Sequence, residues 1–228
     1  DMSGAEAALV VNNSAAAMFL ALAGIAHGGE VPISRGELVE IGGSFRVPDI
    51  MSASGATLRE VGTTNRTYAR DYAAAITEHT KAILRVHQSN FKIVGFSTRP
   101  SCQDLASVAR EHNVPLISDL GSGTFAPLPD ALQDHSDPRR ELAEGADLVC
   151  FSGDKVLGGP QAGIILGRAD LVQRLSKHPL ARALRVCKLT LAALDHTLMA
   201  YRADRAHEIP VWAMMHASLE QLTERAQV

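Results

Sequence analysis

A lysine and an aspartate each follow a short apolar run in this chain. Lys155 ends a Ser-Gly-Asp-Lys tetrapeptide that comes directly after the run 147–151. Asp119 comes directly after the run 114–118 and precedes a loop that contains two glycines. Short apolar runs of this kind are typical of buried strands. Open α/β folds build their ligand sites at the carboxyl ends of such strands. We therefore expect Lys155 and Asp119 to lie at one edge of a sheet.

This pair of residues suits the chemistry of pyridoxal phosphate (PLP). A lysine amine forms a Schiff base with PLP, and a carboxylate keeps the pyridine nitrogen protonated so that the ring can accept electrons. The alternative is that Lys155 is an ordinary solvated lysine, because lysines are seldom buried and a lone Ser-x-x-Lys is a weak signal. Ser152, which begins the tetrapeptide, and Gly159, in the glycine-containing loop after it, are further candidates for cofactor binding.

Two other strand ends carry polar residues that could contact a cofactor. Asn13 and Ser14 separate the strand 7–11 from an alanine-rich helix, and the free N–H groups at a helix start can bind a phosphate. Plain helix capping requires the same residues and is the alternative. Asn90 follows the strand 81–86 and is predicted to contact the cofactor, although such residues are as often turn formers.

Two arginines three residues apart form a candidate anion site. Arg182 and Arg185 would share one face of a helical turn. Two guanidinium groups together suit a phosphate-like anion. A solvated charged face is the alternative for this pair.

Composition places the chain among ordinary globular proteins. Its 228 residues, 46% of them hydrophobic and 21% charged, suit one large domain or one and a half. A formal charge of -3 provides no general attraction to nucleic acid. No apolar run in this sequence approaches the length of a membrane span, and we expect no secretory signal.

The cysteines and histidines indicate neither a disulfide framework nor a metal site. Cys102, Cys150 and Cys187 are far apart and lack CxxC spacing, which favours a reducing compartment. None of the nine histidines has the spacing of a metal-ligand motif. We therefore expect a cytoplasmic protein without a metal.

Strand-like and helix-like segments alternate along the chain. This alternation predicts an α/β fold in which helices sandwich a mostly parallel sheet. The predicted strands are 7–11, 30–34, 57–61, 81–86, 114–118, 147–151 and 162–166. The predicted helices are 14–26, 68–76 and 101–111, one from about residue 170, and a helical region from residue 188 with a break at Pro210.

Several long segments resemble the bacterial selenocysteine synthase family, the L-seryl-tRNA(Sec) selenium transferases. The likeness covers nearly the whole chain, and related lyases would share the aspartate and lysine without these flanking segments. The matching segments are 34–46, 60–67, 119–123, 151–163, 184–186 and 188–194. The resemblance implies the large domain of a PLP-dependent transferase with an aspartate aminotransferase-like fold.

The resemblance also implies a set of catalytic and cofactor-binding residues. Lys155 would be the Schiff-base lysine, Asp119 the partner of the pyridinium, and Asn13 with Ser14 part of the phosphate cradle. The implied activity converts seryl-tRNA(Sec) to selenocysteinyl-tRNA(Sec) with selenophosphate, through an aminoacrylate intermediate.

The same resemblance assigns the arginine pair and its surroundings. Arg182 and Arg185 would bind the anionic selenium donor. Cys187 stands where an acidic residue is expected, so the charge balance beside this pair stays open.

The resemblance implies a domain organisation and an assembly. Residues 1–200 would form the PLP-binding core, and residues 201–228 a helical segment that leads toward a C-terminal small domain absent from this sequence. An N-terminal tRNA-binding domain is also expected to be absent, so the tRNA would be recognised mainly elsewhere. We expect a homo-oligomer built from dimers, with the loop 158–161 near the neighbouring subunit, and no membrane partner.

Two other functions remain open at this point. One is a PLP-dependent lyase or transferase that acts on a small amino acid or an amino sugar through the same Lys155 and Asp119. The other is a truncated scaffold that binds partners and holds no cofactor.

Overall fold

A five-stranded mixed sheet forms the centre of the computed structural model, which describes residues 2–41, 45–128 and 137–227. Residues 42–44 of the matching segment 34–46 therefore lie outside the described residues. The strands are β1 (Ala7–Val11), β2 (Glu30–Ser34), β3 (Glu40–Ile41), β4 (Phe45–Arg46), β5 (Thr57–Val61), β6 (Ile83–Val86), β7 (Leu116–Ser122), β8 (Leu148–Ser152) and β9 (Gly163–Gly167).

Helices cover both faces of this sheet. The helices are α1 (Ser14–Ile25), α2 (Val47–Ala53), α3 (Ala69–Ala75), α4 (Cys102–Glu111), α5 (Pro138–Glu144), α6 (Ala169–Lys177), α7 (Pro179–Ala183), α8 (Lys188–Arg202), α9 (Pro210–Met215) and α10 (Leu219–Ala226). The seven predicted strands are confirmed to within one or two residues at their starts, whereas α2 and α5 had not been predicted.

The strand order is β1-β9-β8-β7-β6. β6, β7 and β8 run parallel, β9 is antiparallel to both of its neighbours, and β1 therefore runs with the parallel group. The predicted mostly parallel α/β sheet is confirmed. The reversal at β9 has a simple cause: only residues 153–162 connect it to β8, and a parallel return needs a longer crossover.

A separate parallel pair, β2 and β5, continues the sheet beyond β6. At the start of β2, the Lys81 amide donates to the Glu30 carbonyl over 2.9 Å. At the other end, a side chain takes the place of the strand ladder: the Glu37 carboxylate accepts from the Val86 amide over 3.0 Å. Glu37 lies in a short 3₁₀ turn directly after β2.

Two apolar cores lie on opposite faces of the sheet. Side chains from α1, α2 and α6 pack on one face, against strand residues such as Ile117 and Ile165. Side chains from α3, α4 and α8 pack on the other face, against strand residues such as Val149 and Phe151. The strands β6, β7, β8 and β9 thus bury both of their sides, which explains why their sequences are nearly continuous apolar runs. The edge strand β1 is only partly buried.

The C-terminal helices pack on the loop that follows β8. The Tyr201 hydroxyl donates to the Leu157 carbonyl over 2.8 Å and accepts from the Trp212 indole N–H over 2.5 Å. A Cβ on Gly158 would lie within 2.7 Å of both Ile209 and Val211 side-chain atoms. Pro210, predicted to break the helical region, occupies the first turn of α9.

We predict that Glu37 makes stability depend on pH. Burial raises the pKa of Glu37 to about 7, although the Val86 amide and Arg85 act to lower it. Because the native pKa exceeds the ordinary value of 4.5, the native state binds the proton more tightly than the unfolded chain does. The contribution of Glu37 to the free energy of unfolding therefore falls as the pH rises from about 4.5 to about 7. The loss is of the order of 3 kcal/mol.

Glu37→Gln should remove this pH-dependent loss, which urea unfolding of the full-length protein at pH 5 and pH 7.5 would measure. Glu111→Gln, at the exposed end of α4, is the matched control and should keep the wild-type profile. Parallel pH profiles for wild type and Glu37→Gln would contradict the prediction.

Candidate active site

One row of residues crosses the sheet at the edge where the parallel strands end. Val11 pairs with Gly163, Gly163 with Ser152, and Ser152 with Ser122. The turn after β1, the loop after β8 and the end of β7 therefore lie side by side. Asn13, Lys155 and Asp119 belong to these three segments, so the site residues predicted from sequence share this edge.

The turn after β1 presents a helix N-terminus to the edge. The Asn13 side chain caps α1 by accepting from the Ala16 amide over 2.8 Å. The first N–H groups of a helix have no partner within it, and together with the helix dipole they can bind an anion. Gly163 permits this arrangement, because a Cβ there would overlap the carbonyl oxygen of Asn13. Both predicted roles of Asn13, capping and anion binding, are compatible with this geometry.

A β-bulge sets the position of Asp119. The register with β8 passes from Asp119 opposite Cys150 to Gly121 opposite Phe151, which leaves Leu120 unpaired. The Asp119 carboxylate accepts from the Gly121 amide over 2.9 Å. Gly121 has φ +62°, a conformation that glycine adopts without strain.

The Asp119 carboxylate is buried among apolar groups. Its exposure is 3%, and it borders a small apolar void with Met18 and Leu22 of α1. Burial raises the pKa of Asp119 to about 6, against the opposing effects of the Gly121 amide and the Lys155 charge. The Gly121 amide and Lys155 therefore do not fully offset the cost of burying a charged carboxylate at this position.

Lys155 reaches the same edge from the loop after β8. Its Nζ lies 3.8 Å from the point that a Cβ on Gly121 would occupy, and the hydroxyl of Ser89 lies 3.5 Å from that point. Among the hydrogen bonds that hold this loop, the Gly153 amide donates to the Ala162 carbonyl, the Gly159 amide to the Gly153 carbonyl, and the Val156 amide to the Ser122 hydroxyl. The lysine itself is exposed.

These groups fit PLP in three respects. A protonated pyridine nitrogen would supply the positive charge that the buried Asp119 carboxylate requires. The Lys155 amine provides a nucleophile at the same edge. The N-terminus of α1 suits the cofactor phosphate.

The remaining cofactor candidates occupy different positions. Ser152 is 4% exposed and lies in the row described above. A Cβ on Gly159 would lie 3.4 Å from Thr197 and 3.5 Å from Leu194, both in α8 of the same chain. Asn90 lies farther out, where its side-chain amide donates to the Glu40 carbonyl over 3.3 Å.

The predicted shared helical face of Arg182 and Arg185 is wrong. α7 ends at Ala183, and Arg185 lies beyond it in an extended bridge with Val11. The cause is a hydrogen bond from the Asn12 amide to the Leu184 carbonyl, which draws the chain onto the end of β1. Arg185 therefore adjoins the turn that contains Asn13. Neither arginine forms a salt bridge with a residue that the structure describes.

A cavity of about 570 Å³ opens beside this edge. It lies between the 3₁₀ turn after β2, the segment after β5 and the segment after β6. His87, Gln88, Ser89 and Asn90 contribute to its wall, with Glu37 beneath them.

Sequence reasoning missed the roles of Gly163, Ser89 and Glu37. A glycine at the first position of a strand often marks a close approach of another backbone, so the role of Gly163 could have been predicted from the sequence. The sequence contains no such signal for Ser89 and Glu37, because their positions depend on how β2, β6 and β7 are placed side by side.

A group of possible metal ligands lies away from this edge. The ligand atoms of Cys102, Glu141 and Glu144 lie within 4.8 Å of one another. Glu141, however, already accepts from Arg85 at 2.8 and 2.9 Å and from the Ser118 hydroxyl at 2.7 Å. This group is better described as a buried ion pair that connects β6 and β7 to α5.

Comparison with known proteins identifies the family. A family model for L-seryl-tRNA selenium transferase matches residues 1–228. The chain belongs to this family. It is 54% identical to the L-seryl-tRNA(Sec) selenium transferase of Geobacter metallireducens, over 100% of this chain and 50% of that protein. It is 55% identical to the enzyme of the same name from Desulfovibrio desulfuricans, over 99% of this chain and 48% of that protein. The chain thus spans about half the length of the curated relatives it matches.

Solved structures share the fold of this selenium transferase family member. D-glucosaminate-6-phosphate ammonia-lyase superposes with a TM-score of 0.77 at 25% identity, over 99% of this chain and 59% of the other. A cystathione gamma lyase from Micromonospora echinospora superposes with a TM-score of 0.65 at 18% identity, over 89% of this chain and 49% of the other. The predicted fold class, the large domain of a PLP-dependent transferase, is confirmed. Within the described ranges, no helix has the length and apolar character to cross a membrane.

Proposed function

We propose that this chain is the PLP-binding core of an enzyme that converts seryl-tRNA(Sec) to selenocysteinyl-tRNA(Sec) with selenophosphate. One observation carries the proposal: a strand-end lysine and a buried carboxylate, Lys155 and Asp119, share one sheet edge in a chain of the selenium transferase family. Bound PLP would supply an electron sink for the charge that remains when the seryl Cα loses its proton.

Lys155 has two roles in this proposal. Its amine attaches the cofactor covalently and is released when the seryl amine takes its place. The released amine then lies beside the substrate and takes the proton from the seryl Cα. The ammonium group so formed can return the proton to the departing β-hydroxyl, which leaves as water. Selenium from the donor would then bond to Cβ while a proton returns to Cα. Water would cleave the selenium–phosphorus bond and release phosphate.

Asp119 holds a proton on the pyridine nitrogen. Its carboxylate is oriented by the Gly121 amide and shielded from water by Met18 and Leu22 of α1. In such an environment the attraction between a carboxylate and a pyridinium is stronger than in water. The turn at Asn13 and Ser14 would bind the cofactor phosphate through the first N–H groups of α1.

Arg182 and Arg185 are proposed to bind the anionic selenium donor. Both side chains are exposed, and the backbone bridge between Arg185 and Val11 brings that residue next to the turn after β1. Their positive charge would offset the charge of the donor when it approaches the seryl Cβ. Ser152, Gly159 and Asn90 remain proposed cofactor contacts, with Asn90 the most distant in position.

A second candidate function is a lyase that acts on an amino sugar or a small amino acid. The likeness to D-glucosaminate-6-phosphate ammonia-lyase favours this candidate, at 25% identity. The selenium transferases are more than twice as similar in sequence, at 54% and 55%. Turnover of free amino acids or amino sugars without charged tRNA would favour the lyase.

We predict that Lys155 carries the cofactor and is required for selenium transfer. The full-length enzyme should form selenocysteinyl-tRNA(Sec) from seryl-tRNA(Sec) and selenophosphate. Lys155→Ala should reduce that rate by at least a thousandfold, because covalent attachment and proton transfer are both lost. Borohydride reduction and peptide mapping should locate the pyridoxyl group on Lys155.

Lys177→Ala, at the end of α6, is the matched control and should leave labelling unchanged. A pyridoxyl group on another lysine would contradict the assignment of Lys155. A protein that stays colourless with added PLP would instead favour the scaffold without a cofactor.

We predict that the two arginines serve the donor and not the cofactor. Arg182→Ala combined with Arg185→Ala should preserve the absorbance of bound PLP while turnover with selenophosphate falls at least a hundredfold. Arg185→Lys should restore only part of the activity, since lysine keeps the charge and loses the planar fork. Loss of bound PLP in the double variant would make these arginines cofactor ligands.

We predict that the full-length protein is a cytoplasmic homo-oligomer built from symmetric dimers. The family resemblance supports this prediction through the loop 158–161. In this chain the loop packs on α8 and on the segment before α9, and a side chain at Gly159 would press on the Gly153 carbonyl at 3.1 Å. Loop variants would therefore also disturb the fold of the chain itself. Sedimentation of the unmodified protein is the direct measurement, and an active, PLP-bound monomer would refute the prediction.

A further inference from the structure

The cavity of about 570 Å³ begins next to the proposed catalytic lysine. Ser89 lines this cavity, and its hydroxyl lies 3.5 Å from the position of a Cβ on Gly121, which is itself 3.8 Å from Lys155 Nζ. The two side-chain atoms are therefore at most about 7 Å apart. From this point the cavity extends away from α1, toward the segments that follow β2 and β5.

The chemistry of an aminoacyl ester requires space at this position. In a seryl group esterified to a ribose, three bonds separate the seryl Cα from the sugar. The sugar and its base must therefore lie within several ångströms of the amine that acts on Cα. The cavity begins within that reach, and its volume falls within the roughly 300–1,000 Å³ typical of small-ligand sites.

The wall nearest Lys155 suits an ester better than a free amino acid. Ser89 and Gln88 supply neutral hydroxyl and amide groups there. A free amino acid brings a carboxylate, which requires a cation or several hydrogen-bond donors when it is desolvated. An ester carries no such charge, and neutral groups can bind ribose hydroxyls.

The wall also carries an aromatic ring and two cations. Phe91 lines the cavity with 42% of its surface exposed. Bases of single-stranded RNA stack on exposed aromatic rings of this kind. Lys92 and Arg99 also line the cavity, and lysine and arginine side chains bind nucleic-acid phosphates.

We propose that this cavity binds the terminal nucleotide of the aminoacylated RNA, with the base stacked on Phe91 and the 5′-phosphate beside Lys92 and Arg99. The inference rests on the proposed function for the identity of the substrate. It assigns to the segment after β6 a part in holding the ester in front of Lys155.

Adenosine 5′-monophosphate (AMP) is a suitable probe, because it contains the base, sugar and 5′-phosphate of the terminal nucleotide without the rest of the RNA. Calorimetry on the full-length, PLP-bound protein would measure its dissociation constant. Phe91→Ala should weaken AMP binding roughly tenfold, the effect expected from the loss of one stacking contact. Phe91→Tyr, which keeps the ring, should bind AMP like the wild type.

Val94→Ala is the matched control, because Val94 is 88% exposed in the same segment and does not line the cavity. Its AMP affinity should equal that of the wild type. Thermal unfolding of each variant would verify that the fold is retained. The proposal is overturned if Phe91→Ala binds AMP as tightly as the wild type, or if the wild type does not bind AMP at millimolar concentration.

Selenium transfer, measured on the same proteins, separates this proposal from the proposed function. Selenocysteinyl-tRNA formation by a wild-type protein that does not bind AMP would refute the nucleotide cavity and leave the function intact. AMP binding that depends on Phe91, in a protein without selenium transfer activity, would retain the cavity and refute the function.

Discussion

The antiparallel insertion of β9 between β1 and β8 determines where each functional group can lie. Gly163, its first residue, pairs with Val11 on one side and Ser152 on the other. Adjacent strands are about 4.8 Å apart, so this pairing keeps the turn after β1 and the loop after β8 within about 10 Å of each other. A side chain at Gly163 would overlap the Asn13 carbonyl and separate the two segments. The turn at Asn13 and the loop that contains Lys155 are thus both positioned by the backbone pairing at Gly163.

The electrostatics of the edge follow from the burial of a single carboxylate. Asp119 lies on the α1 face of the sheet, where apolar side chains exclude water and raise its pKa to about 6. Lys155 opposes this shift without cancelling it. A cationic ring nitrogen beside the carboxylate would remove the imbalance. The same burial that raises the pKa of Asp119 therefore favours binding of a protonated heterocycle.

The junction between the central sheet and the β2–β5 pair explains the cavity. At this junction the Glu37 carboxylate accepts from the Val86 amide, and the Tyr72 hydroxyl accepts from the Ser34 amide over 2.9 Å. Side chains thus replace part of the ladder that would join β2 to β6. The strands separate toward their carboxyl ends, and the segments that follow them line an open space beside Ser89. Glu37 is buried at this junction, and its burial raises its pKa to about 7.

The sequence by itself determined the strand positions and the residues at the strand ends, because apolar runs and helix caps are local signals. Lys155, Asp119 and Asn13 could be singled out in this way, and long flanking segments identified the family. Only the tertiary structure decided which strand ends are neighbours, since β-sheet pairing joins residues far apart in sequence. The pairing of β9 with β1, the bulge after Asp119 and the position of Arg185 beyond the end of α7 all follow from such long-range hydrogen bonds.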